Sequence, residues 1–176
     1  TIISCNKDDD NNTEPGYTLN DANKLVVQTI TTNIATGVNS LFLNSISDSL
    51  QHIEFCRNFT HNARFFSDES GYVFVESLQG VNIADPAKLE LEGTSTLDQT
   101  DAYGKLIVLG MIDLAKYTGH GFFEYSWENP QTNTIGTKST FVKAIPDASW
   151  YAGSGFFKTN DETLLTAQAV NDMVVT

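Results

Sequence analysis

Two consecutive stretches, GHGFFEYSWENP (Gly119–Pro130) and TKSTFVKAIPDASWYAGSGFF (Thr137–Phe157), decide how this chain is read. Aromatic and β-branched residues crowd both of them, a composition that suits a pleated, half-buried surface. They read as two strands, a turn and a third strand: Gly121–Trp127, Lys138–Ile145 and Trp150–Phe157. Period-two alternation places Phe123, Tyr125 and Trp127 on one side of the first strand, and Phe122, Glu124 and Ser126 on the other.

Working outward, Gly104–Lys116 reads as a helix, with Gly119 after its end as a left-handed stop. A loop from Asp85 to Tyr103 precedes it. Before that loop lies a hairpin: Tyr72–Ser77, a turn at Leu78-Gln79-Gly80, and a partner strand beginning Val81-Asn82-Ile83. Ser67–Gly71 is a turn.

No proline occurs from Asp21 to Phe59. Val27, Ile30, Ile34, Val38 and Leu41, then Leu43, Ile46, Leu50 and Ile53, follow at steps that mark one apolar stripe on a long helix. That helix is capped by Thr18 or Asn20, with a break at Gly37 or Asn44-Ser45 allowed. Leu164, Leu165, Ala169 and Val170 give a last helix within Asp161–Val175, beside the first. The sum is an α+β fold with a five-stranded antiparallel sheet and helices on one side.

The chain has 176 residues, enough for one domain with a real core. Its net charge is -12, from 22 Asp and Glu against 10 Lys and Arg, so the basic stripe that nucleic acid requires is absent. No run approaches the roughly 20 apolar residues of a membrane span. The two cysteines, Cys5 and Cys56, are not expected to pair, and no Cys/His spacing suits zinc. No cofactor is expected. Catalysis is not expected either: His52, His61 and His120 are scattered, and Ser154 sits in a strand pattern without a nucleophile elbow.

Gly119, Gly121, Phe122, Tyr125, Trp127, Pro130, Lys138, Phe141, Val142, Trp150, Gly153, Gly155 and Phe157 stand in an order that resembles the closing strands of the single Cache domain. The Tyr72–Gly80 hairpin resembles that family's first two strands. The resemblance covers roughly residues 20 to 160. It implies a PAS-like sheet crossed by a long N-terminal helix, with a ligand pocket roofed by the loop and helix of residues 84 to 118. It also implies an extracytoplasmic sensor of small organic acids. By the same resemblance Tyr125, Trp127 and Lys138 form the pocket wall and its cation, with Tyr72, Phe74 and Phe141 beside them. A lysine ammonium and a tyrosine hydroxyl suit a short carboxylate, and aromatic walls strengthen the pairing by excluding water.

Read without the resemblance, Tyr125 and Trp127 are ordinary core aromatics and Lys138 a solvated strand end. The chain also departs from the family pattern. Ala84-Asp85-Pro86 stands where many members carry His-Pro, and Phe141 and Phe157 replace tyrosines. Lys138 and Phe141 are three residues apart, so a regular strand sends them to opposite faces unless a bulge intervenes. Arg64 is expected to pair with Asp68 or Glu69 outside, or else to reach a carboxylate ligand. Asp98 and Asp101 are expected to cap the following helix, or else to recognise an amino group.

Ile2-Ile3-Ser4-Cys5 resembles a bacterial lipobox, which makes Cys5 the lipidated residue. Asn6–Asn12 is then an acidic tether, similar to the surface-export signal of Bacteroidetes lipoproteins. The expected organisation is a signal remnant and tether at 1–17 and one Cache domain at 18–176. The whole reads as a lipid-anchored sensor at the outer membrane or cell surface, working through a separate protein partner and compatible with a homodimer through the long helix. The alternative is a structural or interaction lipoprotein with a degenerate pocket.

Overall fold

The computed structural model describes residues 16–44 and 49–175. Cys5 and its tether lie outside the described residues. The long apolar stripe forms two helices, α1 (Leu19–Asn44) and α2 (Ser49–His61), on either side of the expected break. Thr18 caps α1 reciprocally: its Oγ1 accepts from the Asp21 N–H at 3.2 Å, and Asp21 Oδ2 accepts from the Thr18 N–H at 3.1 Å. Val27, Ile34 and Val38 are buried as their spacing requires, whereas Leu50 on α2 is exposed.

The strands are β1 (Phe74–Ser77), β2 (Asn82–Ala84), β3 (His120–Asn129), β4 (Thr134–Ile145) and β5 (Trp150–Phe157). They form one antiparallel sheet in the order β2-β1-β5-β4-β3. The chain enters β3 from α3 (Ile107–Thr118) through Gly119, whose φ of 76° supplies the left-handed stop. It closes with α4 (Ala167–Val175), six residues shorter at its start than the sequence reading gives.

Helices cover both faces of this sheet, not one. One face carries Val75, Ala84, Phe141, Ile145, Trp150, Ala152 and Phe156, packed against Val27, Ile34, Ala35 and Val38 of α1 and Cys56 of α2. The other carries Tyr125, Val142 and Tyr151, packed against Ile107, Val108, Met111, Ile112 and Ala115 of α3. The physical reason lies in β4 and β5. Over residues 139–142 of β4 and 150–154 of β5 both alternating side-chain sets are buried and mostly apolar or small, so each needs a cover. Burial drives the Cys56 thiol up to about 12, which leaves it a small, inert core residue.

Register fixes which face each residue serves. Tyr125 pairs with Lys138 and Phe122 with Phe141, and β4 runs without a bulge along β3 and β5. Lys138 therefore faces α3, and Phe141 faces α1.

Candidate functional site

Between the α3 face of the sheet and the α3 roof lies an inner cavity of about 50 Å³. The sheet supplies Phe74, Glu76, Tyr125, Trp127 and Lys138, and the segment leading into β1 supplies Tyr72, as its floor and walls. The loop and α3 supply Asp85, Lys88, Gln99, Ile107, Val108 and Met111. A water needs about 10–15 Å³ of such space, so the cavity suits a ligand of few heavy atoms. Tyr72, Lys88, Trp127 and Lys138 also line a wide outer groove, and together they form the neck between the two spaces.

Lys138 is 8% exposed. Its Nζ donates to Tyr72 Oη at 3.3 Å and lies 5.1 Å from the Tyr72 ring centre and 5.6 Å from that of Phe157. Gly155 makes room for it: a Cβ there would meet Thr140 Oγ1 at 2.3 Å, a backbone oxygen at 3.0 Å and Lys138 Cε at 3.1 Å. The ion pairs among the described residues engage Glu92 and Glu124, and none engages Lys138. Tyr125 stands edge-on to Trp127, with ring centres 6.0 Å apart, and its Oη accepts from Thr140 Oγ1 at 3.4 Å. Burial holds the Tyr72 and Tyr125 phenols neutral, pushed above their ordinary range.

Five of the six residues expected at the site therefore meet around one cavity. Phe141 does not. It is 3% exposed and packs with Val27, Phe156 and Phe122 on the α1 side, because a regular strand puts positions three apart on opposite faces. Among the described residues no ion pair joins Arg64 to Asp68 or Glu69. Its guanidinium donates to the carbonyls of His61, Ala63 and Pro86, pinning the loop beside the groove. Asp101 does not cap α3, whose preceding residue is Leu106 with no side-chain cap. Its carboxylate instead accepts from the N–H groups of Ser126, Lys105 and Tyr103, which ties the loop to β3 and holds the carboxyl below its usual range. Asp98 is exposed and lines neither space.

Sequence reading passed over three acids here. Glu76, 4% exposed, accepts from Tyr151 Oη and from Thr96 Oγ1 at 3.0 Å. Asp85 lines the cavity, and its signal was visible as the residue standing before Pro86 where the family pattern has histidine. Glu92 forms a junction. Its Oε1 accepts from the Asp85 N–H at 2.9 Å and meets His61 Nε2 at 2.6 Å, while its Oε2 lies 3.0 Å from Arg57 Nε. One carboxylate thus joins the cavity loop to α2.

Burial raises the Glu76 carboxyl above its ordinary value of 4.5, against the opposing pull of the Tyr151 and Thr96 donors. The folded chain keeps a proton there that the unfolded chain has released, so stability falls as pH rises upward from about 4.5. Asp85, also raised by burial, adds a contribution of the same sign. Glu76→Gln should flatten this dependence and raise stability at pH 8, as read by urea unfolding across pH. An unchanged slope would remove Glu76 as its source.

The Cache domain family model (dCache_2) matches residues 26–173. A sensor histidine kinase, MctS of Rhizobium johnstonii (strain DSM 114642 / LMG 32736 / 3841), is 32% identical over 103 residues. That match covers 58% of this chain but only 22% of the kinase, so the chain spans about a fifth of that relative's length. A methyl-accepting chemotaxis protein from Vibrio parahaemolyticus RIMD 2210633 superposes with a TM-score of 0.65 at 26% identity, over 79% of this chain and 90% of that one. A periplasmic sensor domain of a chemotaxis protein gives 0.68 at 22% identity, over 80% and 98%. A Cache chemosensory domain whose structure addresses carboxylic acid recognition gives 0.66 at 23% identity, over 78% and 91%. With a family model spanning both helical layers and the whole sheet, the chain belongs to the Cache domain family.

Proposed function

We propose that residues 18–176 act as an extracytoplasmic, non-catalytic sensor unit that binds a small organic acid of about two to four carbons. The observation that carries this reading is Lys138, a nearly buried ammonium without an ion-pair partner among the described residues, aimed into a cavity walled by Tyr72, Tyr125 and Trp127. Leaving a charge in that position is costly, and an anionic ligand with hydrogen-bond acceptors offsets the cost. The Cache chemosensory domain described for carboxylic acid recognition supports the same chemistry by analogy of fold. Anchoring through a lipidated Cys5 at the outer membrane or cell surface, and readout by a separate protein or a second copy of the chain, complete the proposal. Among the described residues no helix is long and apolar enough to cross a membrane.

The small inner cavity favours a second reading, a non-catalytic interaction module whose pocket is degenerate. Thermal melts across short carboxylates separate the two. A ligand at 100 times its Kd stabilises the fold by about 2.7 kcal/mol, a readily resolved shift. Stabilisation by one acid of the series is expected; a flat response across it would favour the degenerate module.

A further inference from the structure

The Glu92 junction is a clamp with several jaws. Arg57 and His61 stand one turn apart on α2 and take one carboxylate oxygen each: Arg57 Nε lies 3.0 Å from Oε2, and His61 Nε2 lies 2.6 Å from Oε1. The Glu92 side chain between them is 10% exposed, and its Oε1 also accepts from the Asp85 N–H. Two more contacts close the clamp. Arg57 Nε donates to the Ile83 carbonyl at 2.8 Å, and Arg64 spans from the His61 carbonyl to that of Pro86. The end of α2 therefore grips residues 83–86, and Asp85 within that grip lines the cavity.

Histidine is the side chain suited to change charge near neutral pH, and the clamp contains one. The charged groups about His61 are Glu92 in direct contact, Arg57 one turn back on α2, and Arg64 beyond the helix end. The two guanidiniums oppose a further positive charge, but the carboxylate holds the imidazole directly. A proton on the ring turns a neutral hydrogen bond into one between ions, about twice as strong. Because Glu92 Oε1 serves both His61 and the Asp85 N–H, fixing the carboxylate on α2 also fixes the cavity loop. We propose that this clamp is a pH-sensitive latch: protonation of His61 tightens Glu92 on α2, so that mild acid stiffens the cavity loop and the end of α2 together. The latch goes beyond the organic-acid reading and holds whichever ligand the cavity takes.

The test is amide hydrogen exchange on the ligand-free protein, corrected for intrinsic rates, at about pH 8 and about pH 5.5, either side of the ordinary imidazole titration. Protection of the Asp85 amide and of the amides of residues 57–61 should rise together in acid, by about fivefold. His61→Gln keeps a neutral donor and should abolish that rise. Glu92→Gln should abolish it too and lower protection at both pH values. The Val142 amide in β4 reports any change in global stability from Glu76 and Asp85, a change that His61→Gln leaves in place. Wild-type protection that does not change across the range, or a rise that persists in His61→Gln, would overturn the latch. A rise at Asp85 without one at residues 57–61 would overturn the coupling to α2. Should a variant fail to fold, an NMR titration of the wild type decides: the Asp85 amide shift should follow the midpoint of the His61 ring, and independent midpoints would overturn the proposal.

Discussion

Replacing Lys138 by methionine should abolish response to every anionic ligand, with Kd rising about 100-fold or more, while the ligand-free protein melts no lower than wild type. The first effect follows from charge. A hydrogen bond to an ionised group contributes about 1.5–3 kcal/mol, and each 1.4 kcal/mol is a factor of ten in affinity. Water exclusion by Tyr125, Trp127 and Phe157 places Lys138 at or above the upper end of that range. The second effect follows from burial. Methionine matches the length of the lysine stem, fills the space over Gly155, and removes an ammonium that has no ion-pair partner among the described residues. Titration calorimetry and a thermal melt on the same preparation read both effects. Normal binding by the methionine variant would move the anion site away from Lys138.

Phe141→Ala should do the reverse. Its ring is packed with Val27, Phe156 and Phe122 across the sheet from the cavity, so truncation opens a void in the α1 layer. Phe→Ala changes at such positions cost about 3–5 kcal/mol. Urea unfolding should show that loss, and Kd measured on the protein that remains folded should stay within about twofold of wild type, since distant sites act independently. A binding defect without a stability defect would return Phe141 to the ligand site.

The pairing of these two variants marks where sequence was readable and where it was not. The strand Trp150–Phe157 and the helix stop at Gly119 were legible because β-branched and aromatic runs, and a glycine after a periodic segment, are local signals. Lys138, Tyr125 and Trp127 were brought to one cavity by the family resemblance, whereas alternation alone gave only the shared face of Tyr125 and Trp127. Phe141 was misassigned because matching a pattern ignores parity, and parity alone sends it to the other layer. Arg64 and Asp101 were misread for a different reason. Charged side chains were assigned to charged partners or helix ends, yet Arg64 donates to the Pro86 carbonyl of a loop and Asp101 accepts from the Ser126 N–H of β3. Such side-chain bonds to distant backbone groups leave no periodic trace in sequence. What went unread was that the long helix and the expected roof helix take opposite faces, because burial of both faces of β4 and β5 depends on neighbours that only the fold assembles.

The unbulged register of β4 has an evolutionary consequence. Lys138 looks toward the cavity, Val142 and Ala144 of the same parity pack under α3, and odd-numbered positions from Ser139 to Ile145 look toward the α1 layer. Change at Lys138 alters the cavity wall, whereas change at Val142 or Ala144 disturbs the packing beneath α3. Inserting or deleting a single residue within the strand would exchange the two sets at once. A lineage built on this sheet should therefore vary its cavity by point substitution at Lys138 and hold the length of β4 constant.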